Sequence, residues 1–228
     1  MSGPASSIED LCGIRMDKLR LFIAIEVPAE VRRRLAEIEK ELMASDADVK
    51  WVPEGNFHAT LKFLGYVDED RVEPISRAVE SAVKDSSAFE AALSGVGAFP
   101  NPRRPSVVWV GITSGFEEMK ALAAKVEDAL EPLGFAREAR PFSAHITLGR
   151  TRSPRNADKL REIIERLREE NAGPFEVQGL ALMKSDLRPS GPVYSRIADF
   201  GLRIEGEGPS FSVRRSAFRA DEGPRTRD

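Results

Sequence analysis

The sequence predicts an α+β fold made of two copies of one unit, on three observations. Short apolar runs of strand length alternate with stretches whose apolar residues recur every three or four positions. The order strand, helix, histidine-bearing strand, helix occurs twice along the 228 residues. Both histidines of the chain, His58 and His145, occupy equivalent places in the two copies, 87 residues apart. Solenoid repeats have periods of about 20–50 residues. The longer interval here fits duplication of a whole unit.

Residues 1–17 carry no helix or strand period and are rich in small residues, which predicts a disordered arm. Met16, directly before the periodic sequence, is an alternative start. The apolar run 19–25, bounded by Pro28, predicts a buried strand. Val31, Leu35, Ile38 and Leu42 then mark one face of a helix whose other face holds Arg32, Arg33, Arg34, Glu37 and Glu41. A turn-rich stretch, 51–56, leads into a strand expected at 57–64 and ending at Gly65. A second helix follows from Val72, Ile75, Val79 and Val83, with Asp68, Glu69 and Asp70 near its positive end.

The second copy reads the same way. Strands are expected at 89–98 and 106–112, then a helix at 116–131 with Met119, Leu122, Val126 and Leu130 on one face. A strand at 141–150 is followed by a helix at 156–170 using Leu160, Ile163, Ile164 and Leu167, and by two strands at 175–183 and 193–204. From Glu205 the composition turns polar, which predicts a disordered tail over 205–228. Residues 18–204 are thus expected to form the folded domain.

Composition narrows the function. With 41% apolar and 31% charged residues the chain can bury one core, or two small lobes sharing one. A net charge of −3 argues against a polybasic nucleic-acid coat, though not against a local basic pocket. The single cysteine, Cys12, excludes a disulfide framework and a cysteine-rich zinc site. No apolar run approaches the roughly 18–20 residues that span a bilayer, and no signal-peptide pattern opens the chain. A cytoplasmic, monomeric protein without membrane contact is expected. Two histidines also exclude any cluster of imidazoles.

Both histidines stand in one pattern, His58-Ala59-Thr60-Leu61 and His145-Ile146-Thr147-Leu148. With 5 threonines and 18 leucines in the chain, chance would place the pattern after both histidines at about 3 in a million. A lone strand histidine is most often structural, but core packing gives no reason to repeat His-x-Thr at equivalent places. In a strand, residues i and i+2 share a face. His58 and Thr60 therefore point together, as do His145 and Thr147, and the pseudo-repeat could join them in one pocket. Imidazole titrates near 6.5, so one ring can act as general base while its neighbour acts as general acid. The hydroxyls of Thr60 and Thr147 can donate to phosphate oxygens, and Arg150 can supply positive charge. A strained cyclic phosphodiester needs no more than this set, and no metal. A metal site needs three or four ligands, which neither motif supplies. A Ser-His-Asp hydrolase would need a nucleophile elbow that the sequence lacks.

At these residues the sequence resembles the 2H phosphoesterase superfamily. More closely, it is similar to the RNA 2′,3′-cyclic phosphodiesterases, also called 2′-5′ RNA ligases. The resemblance spans about residues 19–204 and includes RLFIAI (20–25), WVP (51–53), NFHATLKFLG (56–65), FP (99–100), VWVG (108–111), RPF (140–142), HITLGR (145–150) and GPVY (191–194). It implies a bilobal α+β fold with two pseudo-symmetric antiparallel sheets, outer helices and a central cleft. It implies metal-independent, cofactor-free hydrolysis of a terminal RNA 2′,3′-cyclic phosphate, with 2′-5′ ligation in the reverse direction. By position, His58 would be the proton donor and His145 the proton acceptor, with Thr60, Thr147 and Arg150 holding the phosphate. The partner would be an RNA end, tRNA fragments included, or a small cyclic nucleotide. Alternatives are another cyclic phosphate, a 2′-5′ oligonucleotide, or a non-catalytic RNA-binding module.

Four features carry less. The triplet Arg32, Arg33 and Arg34 reads as a solvated helix face. Arg103 and Arg104, in a loop between prolines, could touch RNA. Phe57 and Phe63 could stack on a base, but in a regular strand they lie opposite His58 and are expected in the core. Tyr194 could border the pocket.

Overall fold

A continuous apolar run, once extended, must cover two faces, and the first strand does so. The computed structural model describes residues 18–189 and 191–204; the expected arm at 1–17 and tail at 205–228 lie outside the described residues. In β1 (Lys18–Glu26), Leu19, Leu21, Ile23 and Ile25 enter the main core, while Phe22 and Ala24 form a second cluster with Ala181 and Met183. Helix α1 (Ala29–Met43) buries Val31, Leu35, Ile38 and Leu42, the four residues its periodicity selects. Strands β2 (Val49–Trp51) and β3 (His58–Asp68) follow, then α2 (Val72–Val83) with Ile75, Val79 and Val83 buried. Strands β4 (Phe89–Phe99) and β5 (Val107–Ser114) lead to α3 (Phe116–Leu130), β6 (His145–Thr151) and α4 (Ala157–Arg166). Strands β7 (Asn171–Val177), β8 (Gly179–Arg188) and β9 (Gly191–Gly201) complete the described fold.

The strands run in the order β7-β4-β5-β6-β3-β1-β8-β9, with β2 paired to β6, and the pairs between these strands are antiparallel. The two expected sheets are the halves β7-β4-β5-β6 and β3-β1-β8-β9. They are joined by a single pair, Ala59 with Ile146, so the two histidine strands lie side by side at the seam.

Five segments differ from the sequence expectation. Strand β3 does not end at Gly65 but continues to Asp68, because Gly65 takes a left-handed φ of 73° beside a bulge. Strand β6 starts at His145 rather than at 141, since Pro141 offers no amide to a ladder. Helix α4 stops at Arg166, and the carbonyls of Leu167 and Glu170 accept from Val96 and Gly95 of β4. The run expected as one strand at 175–183 is two, β7 and β8, broken at Gln178, where the chain leaves β4 for β1. Its apolar pattern is unbroken there, so hydropathy alone does not mark the crossing. Strand β2 lies partly inside the expected turn; Gly149 makes room for it, since a Cβ there would stand 2.6 Å from Val49 Cγ1.

One buried carboxylate makes stability depend on pH. Glu39 of α1 is 8% exposed, and its Oε1 has no hydrogen-bond partner. Burial raises its pKa to about 7, opposed only in part by the Val52 amide. Between its ordinary value and about 7 the native state keeps a proton that the unfolded chain releases. Stability therefore falls as pH rises through that window, by up to about 3 kcal/mol. Glu39→Gln should be the more stable protein at pH 8 in urea unfolding and nearly equal to the parent at pH 5. An identical pH dependence in both proteins would show that Glu39 ionises normally.

Candidate active site

Ala59 and Ile146 point into the core, 1% and 0% exposed, so the residues flanking them point the other way. An antiparallel register through that pair sets His58 opposite Thr147 and Thr60 opposite His145. Each imidazole position thus faces the hydroxyl position of the other motif. All four residues are half-buried.

The two rings are held alike. His58 Nδ1 lies 2.7 Å from the Asn56 carbonyl, and His145 Nδ1 lies 2.8 Å from the Ser143 carbonyl. A carbonyl only accepts, so Nδ1 carries the hydrogen in both rings and Nε2 is the nitrogen left for chemistry. Asn56 is itself anchored, its Nδ2 donating to the Pro192 carbonyl at 2.9 Å. Aromatic rings flank each imidazole: Phe22 at 4.9 Å and Tyr194 at 5.3 Å from His58, Phe99 at 5.1 Å and Trp109 at 6.4 Å from His145. These walls lower the pKa of both histidines by desolvation. The carbonyl hydrogen bonds oppose that shift, while the charge of His145 adds to it at His58 and that of Arg150 adds to it at His145. Burial likewise raises the Tyr194 phenol, against the pull of Arg20 and Arg150.

Bulges complete the site. In a regular strand Arg150 would face away from Thr147, three residues earlier. The β5–β6 register steps from Trp109↔Thr147 to Val108↔Gly149, leaving Leu148 extra, and this turns Arg150 to the histidine face. The same device acts in β3. The register passes from Ala24↔Thr60 to Ile23↔Lys62 and Phe22↔Phe63, with Leu61 extra. Phe63 is therefore on the histidine face, 62% exposed with its ring 6.2 Å from that of Phe22, and not in the core as expected. Phe57 is in the core, 2% exposed. The same bulge turns Lys62 inward, where Glu127 at 2.5 Å and the Ala136 carbonyl at 2.8 Å receive its ammonium. Phe63 and Arg150 occupy equivalent positions, each three residues after the motif threonine.

Tyr194 borders the site. Arg34 of the basic triplet pairs with Glu37 and Glu170, and the Arg103 and Arg104 loop is exposed. The Asn56 and Ser143 carbonyls and the rings of Phe22, Phe99 and Trp109 carry no motif in the sequence and come to the site only through the fold. Among the described residues no three of His, Cys, Asp or Glu gather into a group that could hold a metal, and no helix is long and apolar enough to cross a membrane.

Two His-x-Thr strands meeting at the seam of a duplicated antiparallel sheet define a two-histidine (2H) phosphoesterase. The LigT-like phosphoesterase family matches this chain twice, over residues 25–109 and 110–194, one match for each copy of the unit. The chain belongs to that family. It is 36% identical over 185 residues to the RNA 2′,3′-cyclic phosphodiesterase of Methanothermobacter thermautotrophicus, covering 81% of this chain and all of that protein. The RNA 2′,3′-cyclic phosphodiesterase of Thermotoga maritima is 34% identical over 178 residues, with 77% of this chain and 91% of that one covered. A crystal structure from Thermus thermophilus superposes with a TM-score of 0.66 at 33% identity, over 82% of this chain and 100% of that one. Escherichia coli LigT in complex with 3′-AMP shares the fold, with a TM-score of 0.66 at 24% identity over 82% of this chain and 99% of its own.

Proposed function

We propose that residues 18–204 form a phosphodiesterase that opens the terminal 2′,3′-cyclic phosphate of RNA to a 2′-phosphate. The observation that carries this reading is the pair of imidazoles on adjacent strands, each with Nδ1 pinned and Nε2 free. Water attacks phosphorus as His145 Nε2 takes its proton, the bond from phosphorus to O3′ breaks, and His58 gives its proton to O3′. Thr60, Thr147 and Arg150 bind the non-bridging oxygens as charge builds there. The division of roles follows the order of the two motifs in the family; Arg150 disfavours the imidazolium of His145 and His145 that of His58, so the pair holds one proton at a time. Phe63 offers its exposed ring to the terminal base, as single-strand binding sites do. A 5′-hydroxyl in place of water would give a 2′-5′ bond by the same two proton transfers.

Turnover of a 2′,3′-cyclic mononucleotide in excess chelator tests the reading. The nucleoside 2′-phosphate should form at an undiminished rate. Absence of turnover, or activity that appears only when a divalent ion is restored, would contradict it.

A further inference from the structure

The face that carries His58 continues past Phe63. Arg20 and Tyr66 are direct register partners, next on that face after the pair Phe22 and Phe63. Direct partners across an antiparallel pair project to the same side. Two β1 residues advance the chain by about 6.7 Å, so Tyr66 follows Phe63 along the row rather than stacking on it. Both rings are open to solvent, 62% exposed for Phe63 and 65% for Tyr66. Singly exposed aromatic residues are ordinary. These two are set apart by lying in one row that ends at the histidine pair, with a cation in the same row. Arg20 has no carboxylate partner among the described residues; its Nη1 donates to Ser185 Oγ at 3.2 Å. Successive aromatic planes with a cation beside them fit single-stranded nucleic acid, whose bases stack while its backbone needs positive charge.

We propose that Arg20 and Tyr66 form a second subsite, for the nucleotide immediately 5′ of the cyclic-phosphate end. Tyr66 stacks its base, and Arg20 binds the phosphate that joins it to the terminal nucleotide. The subsite rests on the cyclic-phosphodiesterase reading and adds a preference for RNA ends over mononucleotides.

The test compares a 2′,3′-cyclic mononucleotide with a dinucleotide ending in the same cyclic nucleotide. The parent protein should show the lower KM for the dinucleotide. Tyr66→Ala should raise the dinucleotide KM at least about 5-fold and leave the mononucleotide within about 2-fold, while Tyr66→Phe, which keeps the ring, should behave as the parent. Arg20→Gln should flatten the salt dependence for the dinucleotide, reducing the log–log slope by about 0.7. A Tyr66→Ala protein with an unmoved dinucleotide KM, or one that loses both substrates equally, overturns the subsite while the phosphodiesterase reading stands. A parent protein that hydrolyses neither substrate overturns both.

Discussion

His58→Ala and His145→Ala are each expected to slow turnover about 10²–10⁴-fold if only proton transfer is lost. The double variant should cost far less than the product of the two, because in the proposed mechanism the groups serve one displacement and neither proton transfer is useful alone. The pH profile should be a bell whose limbs belong to the pair. Burial lowers both imidazoles, so the singly protonated pair gives way to two neutral rings as pH rises toward 6.5. The maximum of kcat/KM, which reports the free enzyme, should therefore fall on the acid side of 6.5. Initial rates for the two singles and the double, across pH, provide the check. Multiplying effects or a flat profile would mean that the histidines do not act together.

Arg150→Ala should lose about 2–4 kcal/mol of transition-state stabilisation, roughly 30- to 1000-fold in kcat/KM, while Arg150→Lys should keep part of the rate. A second readout separates a phosphate contact from a structural effect. The positive charge of Arg150 lowers the pKa of His145. Removing that charge lets His145 rise, so the acid limb of the bell should move to higher pH. An alanine variant with parental kinetics and an unshifted acid limb would take Arg150 out of the site.

The histidine pair was legible because its signal is local: a repeated tetrapeptide on strands whose faces follow from a period of two. Helix α1 was legible for the same reason, through Val31, Leu35, Ile38 and Leu42. What escaped depends on departures from that period or on the sheet order. A regular strand would put Phe63 in the core, and the extra residue Leu61 reverses the face. Proximity in sequence points to Arg150, but the bulge at Leu148 is what turns it to the histidine face. Alignment of HATLKF with HITLGR shows that the two positions correspond, and one bulge per copy accounts for both. Tyr194 reaches His58 through the β1–β8–β9 pairing, between strands far apart in sequence. The break at Gln178 likewise reflects a change of neighbour rather than of composition.

Acid and base can be told apart with a cyclic phosphate analogue whose leaving group departs without protonation. Hydrolysis of that substrate by the two single variants is the most direct measurement of the paired-histidine mechanism. His58→Ala should recover much of its activity, since its proton is no longer needed, while His145→Ala, without a base for water, should stay slow. Recovery by His145→Ala alone would exchange the two roles, and equal recovery by both would contradict the mechanism.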